Sequence, residues 1–238
     1  MDLNEHYTTL YKESVEKIAA DTYQIDTQID SATDNRFGIT LLIRPDIHIK
    51  NKIQGFLEEL KAIDPEQYYY PNSDVHITVL SIISCYDGFN LAIISIPDYV
   101  KIIEKSLVGI QDITINFQGI TASPSAIMVQ GFTNTNSLND LRNNLRTNFI
   151  NSGLEQSIDE RYSIQTAHTT VARFRKEIKN KEKLLEILEK YRDFDFGKFN
   201  FKECHLVYND WYQRKQFVKE LHEFQSSRGN GQIFTKTR

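Results

Sequence analysis

Apolar and aromatic residues near the start of the chain return at helical spacing: Leu3, Tyr7, Leu10, Tyr11, Val15 and Ile18, with Ser14 on the same face. With Asn4 as a side-chain cap, this predicts a helix over about residues 4–20. A polar stretch from Asp26 to Arg36 follows, then an apolar run from Phe37 to Ile43 that reads as a strand stopped by Pro45. Helical spacing resumes from about Ile47 to Ile63 and ends at Asp64-Pro65. Between Asp74 and Ser84 the period changes to two: Val75, Ile77 and Val79 point one way, and His76, Thr78 and Leu80 the other. Pro97 opens a helix over about residues 98–108.

Two strand-like runs, Ile113–Ile120 and Ala126–Phe132, flank Thr121-Ala122-Ser123-Pro124-Ser125, so a hairpin is the expected connection. A helix from Leu138 to about Ile150 closes at Asn151-Ser152-Gly153. The pattern then predicts a strand from Ile164 to Phe174, a charged helix from about Lys179 to Tyr191, and a strand from about Phe199 to Tyr208. Phe217–Phe224 reads as a strand or a helix, and Arg228-Gly229-Asn230-Gly231 opens a flexible tail. The two halves share an order of helix, loop, strand and helix, which suggests an internal duplication. The expected organisation is a helical extension over residues 1–33, a main domain over 34–226 and a tail over 227–238.

Composition narrows the class. The chain has 238 residues, 40% hydrophobic and 25% charged, with a mean hydropathy of -0.45. These values suit a soluble globular protein. The formal charge of -4 argues against wrapping long duplex nucleic acid, which needs extended phosphate neutralisation. No run of about 18 apolar residues suggests a membrane span, and the acidic N-terminus lacks a signal-peptide layout. Cys85 and Cys204 are too few and too far apart for a disulfide framework or a CxxC site. A reduced, cytoplasmic protein is expected, a monomer by default.

Two short motifs carry the chemistry: His76-Ile77-Thr78 and His168-Thr169-Thr170, the histidines 92 positions apart. On a strand, residues i and i+2 share a face, so each motif presents an imidazole beside a hydroxyl. Two of the six histidines occupy corresponding places in two similar halves. Across a cleft, one imidazole can remove a proton while the other protonates a leaving oxygen, and the hydroxyls can donate to a phosphate. That is phosphodiester chemistry.

The pair resembles the 2H phosphoesterase superfamily, which takes in the 2'-5' RNA ligase-like proteins and the cyclic phosphodiesterases. The match to the hallmark holds at His76 with Thr78 and at His168 with Thr170, within a span from about Phe37 to Phe224. The resemblance implies an α/β (α+β) bilobal fold: two pseudo-symmetric lobes, each with an antiparallel sheet, facing a central cleft with helices outside. It also implies a metal-independent activity, without a cofactor, on a 2',3'-cyclic phosphate or a 2'-5' phosphodiester. His76 and His168 would be the base and acid in one order or the other, and Thr78 and Thr170 would hold the phosphate.

Other residues are candidates for substrate contact. Arg173 follows the second motif, although strict alternation puts it opposite His168; Arg44 follows the first strand. Among Tyr86, Phe89, Tyr208, Trp211 and Tyr212, the two that follow apolar strands, Tyr86 and Tyr208, are favoured for stacking a base. Asp74 shares the face of His76 and would orient that ring, rim the site or serve a turn. His205 reads as structural, and no tight ligand cluster marks a metal site. The expected partner is a small nucleotide or an RNA terminus. A phosphometabolite-binding module without turnover and a 2'-5' RNA ligase are the competing functions.

Overall fold

The computed structural model describes residues 2–110, 113–160 and 163–225. Among the described residues, five α-helices and one short 3-10 helix (Leu91–Ile93) pack with two sheets in which every pairing is antiparallel. The strands are β1 (Arg36–Ile43), β2 (Tyr68–Tyr69), β3 (Ile77–Asp87), β4 (Thr114–Ser123), β5 (Ala126–Thr133), β6 (Thr169–Arg173), β7 (Asp195–Asn200), β8 (Glu203–Asp210) and β9 (Lys219–Gln225). They form a four-stranded sheet in the order β3-β1-β8-β9 and a five-stranded sheet in the order β2-β6-β5-β4-β7. The first motif lies at the start of β3 and the second at the start of β6, so each sheet carries one.

The sheets do not correspond to chain halves. β1 and β3 pair into one sheet with β8 and β9, from the other end of the chain. Central position explains composition: β1 lies between β3 and β8 and is buried at six consecutive residues. The single strand expected over 199–208 is two strands in different sheets, with the crossing at Phe201-Lys202. The apolar positions Phe199, Phe201 and Cys204 are all buried on both sides of the break, and no Gly or Pro stands between them, which leaves no turn signal in the pattern. The segment over 217–224 resolves as strand β9. The tail over 227–238 lies outside the described residues.

The helices are α1 (Leu3–Ala19), α2 (Ile47–Ile63), α3 (Ile96–Leu107), α4 (Ser137–Ile150) and α5 (Lys181–Lys190). The α1 cap is Asp2 and not Asn4: its carboxylate accepts the Asn4 and Glu5 amides, which starts the helix earlier. Tyr7, Tyr11, Ser14 and Ile18 form its buried stripe, against β4 and α5. Asp46 caps α2 in the same way and Asn180 caps α5. α3 packs on α4, and α4 on β3. No helix among the described residues is long and apolar enough to cross a membrane.

Two close approaches set the second sheet. Gly131 on β5 lies so near the segment before β6 that a Cβ there would stand 2.1 Å from the Ala167 carbonyl oxygen. Only a residue without a side chain lets residues 166–168 come this close to β5. The polar stretch of residues 26–36 is pinned as well: the Asp26 amide donates to the Phe174 carbonyl.

Candidate active site

Val75, Ile77 and Val79 are fully buried on the core side of the first motif, which leaves His76 and Thr78 half-buried on the other face. Thr169 and Val171 are buried in the same way, and His168 and Thr170 face out between them. All four outward residues line a single cavity of about 170 Å³. Both strands are shorter at their starts than the pattern predicts: His76 and His168 each occupy the residue just before the strand.

The His76 ring is held by its main chain. Nδ1 lies 2.7 Å from the Asp74 carbonyl oxygen. A carbonyl only accepts, so Nδ1 carries the hydrogen and the lone pair is at Nε2. The Asp74 carboxylate has another task, accepting from the Ser73 hydroxyl at 2.7 Å and the Lys215 amide at 3.1 Å. His168 Nδ1 lies 2.7 Å from the Thr166 hydroxyl oxygen.

Burial pushes both imidazoles down to about 4, because the low-dielectric surroundings penalise the charged ring. At His76 the Asp74 carbonyl partly opposes this, and the cations Arg44 and Arg173 add to it. At His168 the guanidinium of Arg142 and the ring of His76 add to it. Both rings are therefore neutral at pH 7.

Arg142, on α4, is fully buried and joins the two motifs. Its Nε donates to the Val79 carbonyl at 2.9 Å, and its Nη2 to the Thr78 carbonyl at 3.0 Å and the Thr166 carbonyl at 2.7 Å. Nη1 donates to Asn139 Oδ1 at 3.1 Å. One planar group thus spans the start of β3 and the approach to β6.

The other sequence candidates divide. Arg173 lines the cavity, contrary to strict alternation. The register explains it: Thr170 pairs with Met128 and Ala172 with Ile127, so Val171 is an extra residue that turns Arg173 to the side of Thr170. Its Nε donates to the Tyr70 hydroxyl at 2.9 Å and its Nη1 faces Asp26 at 3.3 Å. Arg44 is not in the lining; its Nη1 donates to the Ser73 carbonyl at 2.8 Å. Tyr86 and Tyr208 are not in the lining either. Tyr86 is exposed and donates to Glu155, and Tyr208 stacks on Phe37 at 4.9 Å. Because alternate residues of β8 face opposite ways, Asn209 reaches the cavity and Tyr208 does not. Phe89 is buried beside Tyr208, and Tyr212 donates to Asp26. The aromatic residues in the lining are Tyr70 and Trp211.

Sequence reasoning missed Arg142, Tyr70, Thr166, Asn209 and Gln213. Arg142 left one trace: it stands on the same helical stripe as the buried Leu138, Leu145 and Phe149, where a charge is out of place without a function. His205, Glu220 and Glu223 can bring one ligand atom each within 4.8 Å of the others, on β8 and β9, and none of the three lines the cavity.

Residues 40–217 match the family model of the AKAP7 2'5' RNA ligase-like domain. The chain belongs to this family. It is thereby a member of the 2H phosphoesterase superfamily. Solved structures bear out the fold at low identity. A crystal structure of a phosphoesterase is 12% identical with a TM-score of 0.54, over 82% of this chain and 99% of that one. Escherichia coli LigT complexed with phosphate is 11% identical with a TM-score of 0.53, over 82% and 99%. No curated protein matches the sequence. The matched family span leaves α1 outside it.

Replacing Arg142 by Met takes the donor from three main-chain carbonyls, two of them in buried hydrogen bonds. Arg142→Met is expected to lower unfolding stability by on the order of 3 kcal/mol, measured by urea denaturation. Arg142→Lys should recover only part of it, because an ammonium cannot span both strands. Wild-type stability in Arg142→Met would show that the bridge is not structural.

Proposed function

We propose that this protein is a metal-independent phosphodiesterase that opens a 2',3'-cyclic phosphate, or cleaves a 2'-5' phosphodiester, at a nucleotide or RNA end. The observation that carries the reading is the convergence of two imidazoles and two hydroxyls on one cavity. The water that attacks phosphorus gives its proton to Nε2 of one histidine, and the other, protonated, delivers its proton to the leaving ribose oxygen. Thr78 and Thr170 donate to the non-bridging oxygens as charge builds on them. Arg173 supplies a fixed positive charge at the wall, and the indole face of Trp211 offers a platform for a base. A structural neighbour, LigT, has been crystallised with phosphate, which agrees with a phosphate-sized centre in this fold.

Ligation through a 2'-5' bond uses the same proton traffic with a ribose 5'-hydroxyl attacking the cyclic phosphate in place of water and the 3'-oxygen leaving, and the family's name keeps it as the second reading. The net charge of -4 favours a small nucleotide or a terminus over a large RNA, and so favours hydrolysis. The cytoplasm is the proposed place of action, and the monomer the proposed form.

Four nucleoside 2',3'-cyclic monophosphates and an RNA ending in a 2',3'-cyclic phosphate, each incubated in EDTA, test this reading. Turnover is expected with the wild-type protein and should drop at least about 100-fold in both His76→Ala and His168→Ala. Full activity in either variant, or an absolute need for added metal, would overturn it.

The depressed imidazoles give a pH signature. With both rings near 4, the form carrying the one required proton is most abundant near that pH. It declines about tenfold per unit above it. Because kcat/KM reports the free protein, it should fall as pH rises above about 5. The kcat profile should hold to higher pH, since bound phosphate stabilises the imidazolium. A kcat/KM that is flat from about pH 5 to 8 would contradict the neutral pair.

A further inference from the structure

The outer edge of the first sheet gathers three carboxylates and an imidazole on one face. His205 on β8 pairs with Glu223 on β9, and Glu203 stands two residues before His205 on the same face. Glu220 and Glu223 are three residues apart, which in a regular strand puts them on opposite faces. The register shifts between them: Leu206 pairs with His222 and Val207 with Glu220, so Leu221 is an extra residue. This bulge turns Glu220 to the side of His205 and Glu223. One ligand atom from each of these three lies within 4.8 Å of the others.

The ring at the centre lacks a full set of partners. The His205 side chain is 7% exposed, and its Nδ1 lies 3.0 Å from Glu220 Oε2. A carboxylate only accepts, so Nδ1 carries a hydrogen in this contact. Nε2 is buried without a hydrogen-bond partner, and Glu203 Oε1 stands 3.7 Å from it. In the neutral ring that leaves a buried lone pair turned toward a carboxylate oxygen, an arrangement that stabilises neither. Glu223 Oε1 accepts from the Gln225 amide at 3.0 Å, which leaves Oε2 for a ligand. Among the described residues no Lys or Arg forms an ion pair with Glu203, Glu220 or Glu223.

We propose that His205, Glu220 and Glu223 form a binding site for a divalent transition-metal ion, zinc being the ion that one imidazole nitrogen and two carboxylate oxygens suit. The ion takes Nδ1 in place of its hydrogen, with one oxygen from each glutamate and water in the fourth position. Nε2 then carries the ring's hydrogen and points it at Glu203, so the unpartnered atom gains an acceptor. Atoms bound to one zinc at about 2.1 Å lie roughly 3.4 Å apart, so the present spread closes by rotation of two side chains. Glu220 is exposed and Glu223 half-buried, which leaves both room to turn. Thr78, Leu42, His205 and Glu223 form one row of pairs across the sheet. The site is therefore on the face of Thr78, with His205 two strands and about 10 Å away. None of the three ligands lines the cavity, so the ion takes no part in the phosphodiester chemistry; it ties the edge strand β9 to β8.

The test is calorimetric titration of Zn2+ into the full-length protein, stripped with EDTA and exchanged into metal-free buffer. The wild type should bind one equivalent with a Kd tighter than about 10 µM. His76→Ala, which removes an imidazole from the cavity, should bind the same equivalent. Affinity should fall at least about 100-fold in His205→Gln and in Glu223→Gln, which lose a ligand, and about 10-fold or more in Glu203→Gln, which loses the outer partner. Glu220→Gln, at an exposed position, stands in where His205→Gln fails to fold. Zn2+ should raise the urea midpoint of the wild type and leave that of Glu223→Gln unchanged. A weaker wild-type Kd, wild-type affinity in both Glu220→Gln and Glu223→Gln, or loss of the ion in His76→Ala would overturn the proposal. Turnover of a cyclic phosphate in EDTA should be equal in the wild type and Glu223→Gln, so the metal site and the phosphodiesterase reading fail separately.

Discussion

The site depends on a guanidinium with no access to water. Arg142 donates to main-chain oxygens of Thr78 and Val79 on one sheet and of Thr166 beside the other. Removing such a group from water is costly, and only donation to well-placed acceptors offsets that cost. The fold meets this condition in one relative arrangement of the two strand starts. That arrangement is also the one that brings His76, Thr78, His168 and Thr170 around a common space. The same charge helps to keep His168 neutral, so the strut that spaces the motifs also biases their chemistry.

Around this strut the elements that line the cavity are collected from the whole chain. The first sheet closes β1 and β3 with β8 and β9, so Asn209, Trp211 and Gln213 reach the wall from near the other end. The N-terminal segment buttresses the second motif. Asp26 receives Tyr212 and faces Arg173, and the Tyr7 hydroxyl donates to the Gly131 carbonyl, where β5 approaches Ala167. Arg173 is thus backed by partners from distant segments, while the two imidazoles are held by neighbours two residues back in the chain.

Alternation alone makes the heart of this site legible in the amino-acid sequence. His76 and Thr78 share a face because strand periodicity is two, and Val75, Ile77 and Val79 declare the buried side. The same rule fails just past the second threonine, because the extra residue at Val171 cannot be seen without the partner strand. It fails again with the aromatics: which of Tyr208 and Trp211 reaches the cavity depends on the pairing of β8 with β1, a contact between remote segments. The break between β7 and β8 hides among the buried Phe199, Phe201 and Cys204 for the same reason. Arg142 shows only as a charge on an apolar stripe, and its acceptors are mostly main-chain atoms, which carry no residue signature.

The central claim is that both His-x-Thr motifs act on one phosphorus atom. A crystal structure with a nucleoside 2'- or 3'-monophosphate tests it most directly. The phosphate should lie between Nε2 of His76 and Nε2 of His168, accepting from the hydroxyls of Thr78 and Thr170. A phosphate bound by one motif alone, or outside the cavity, would contradict it.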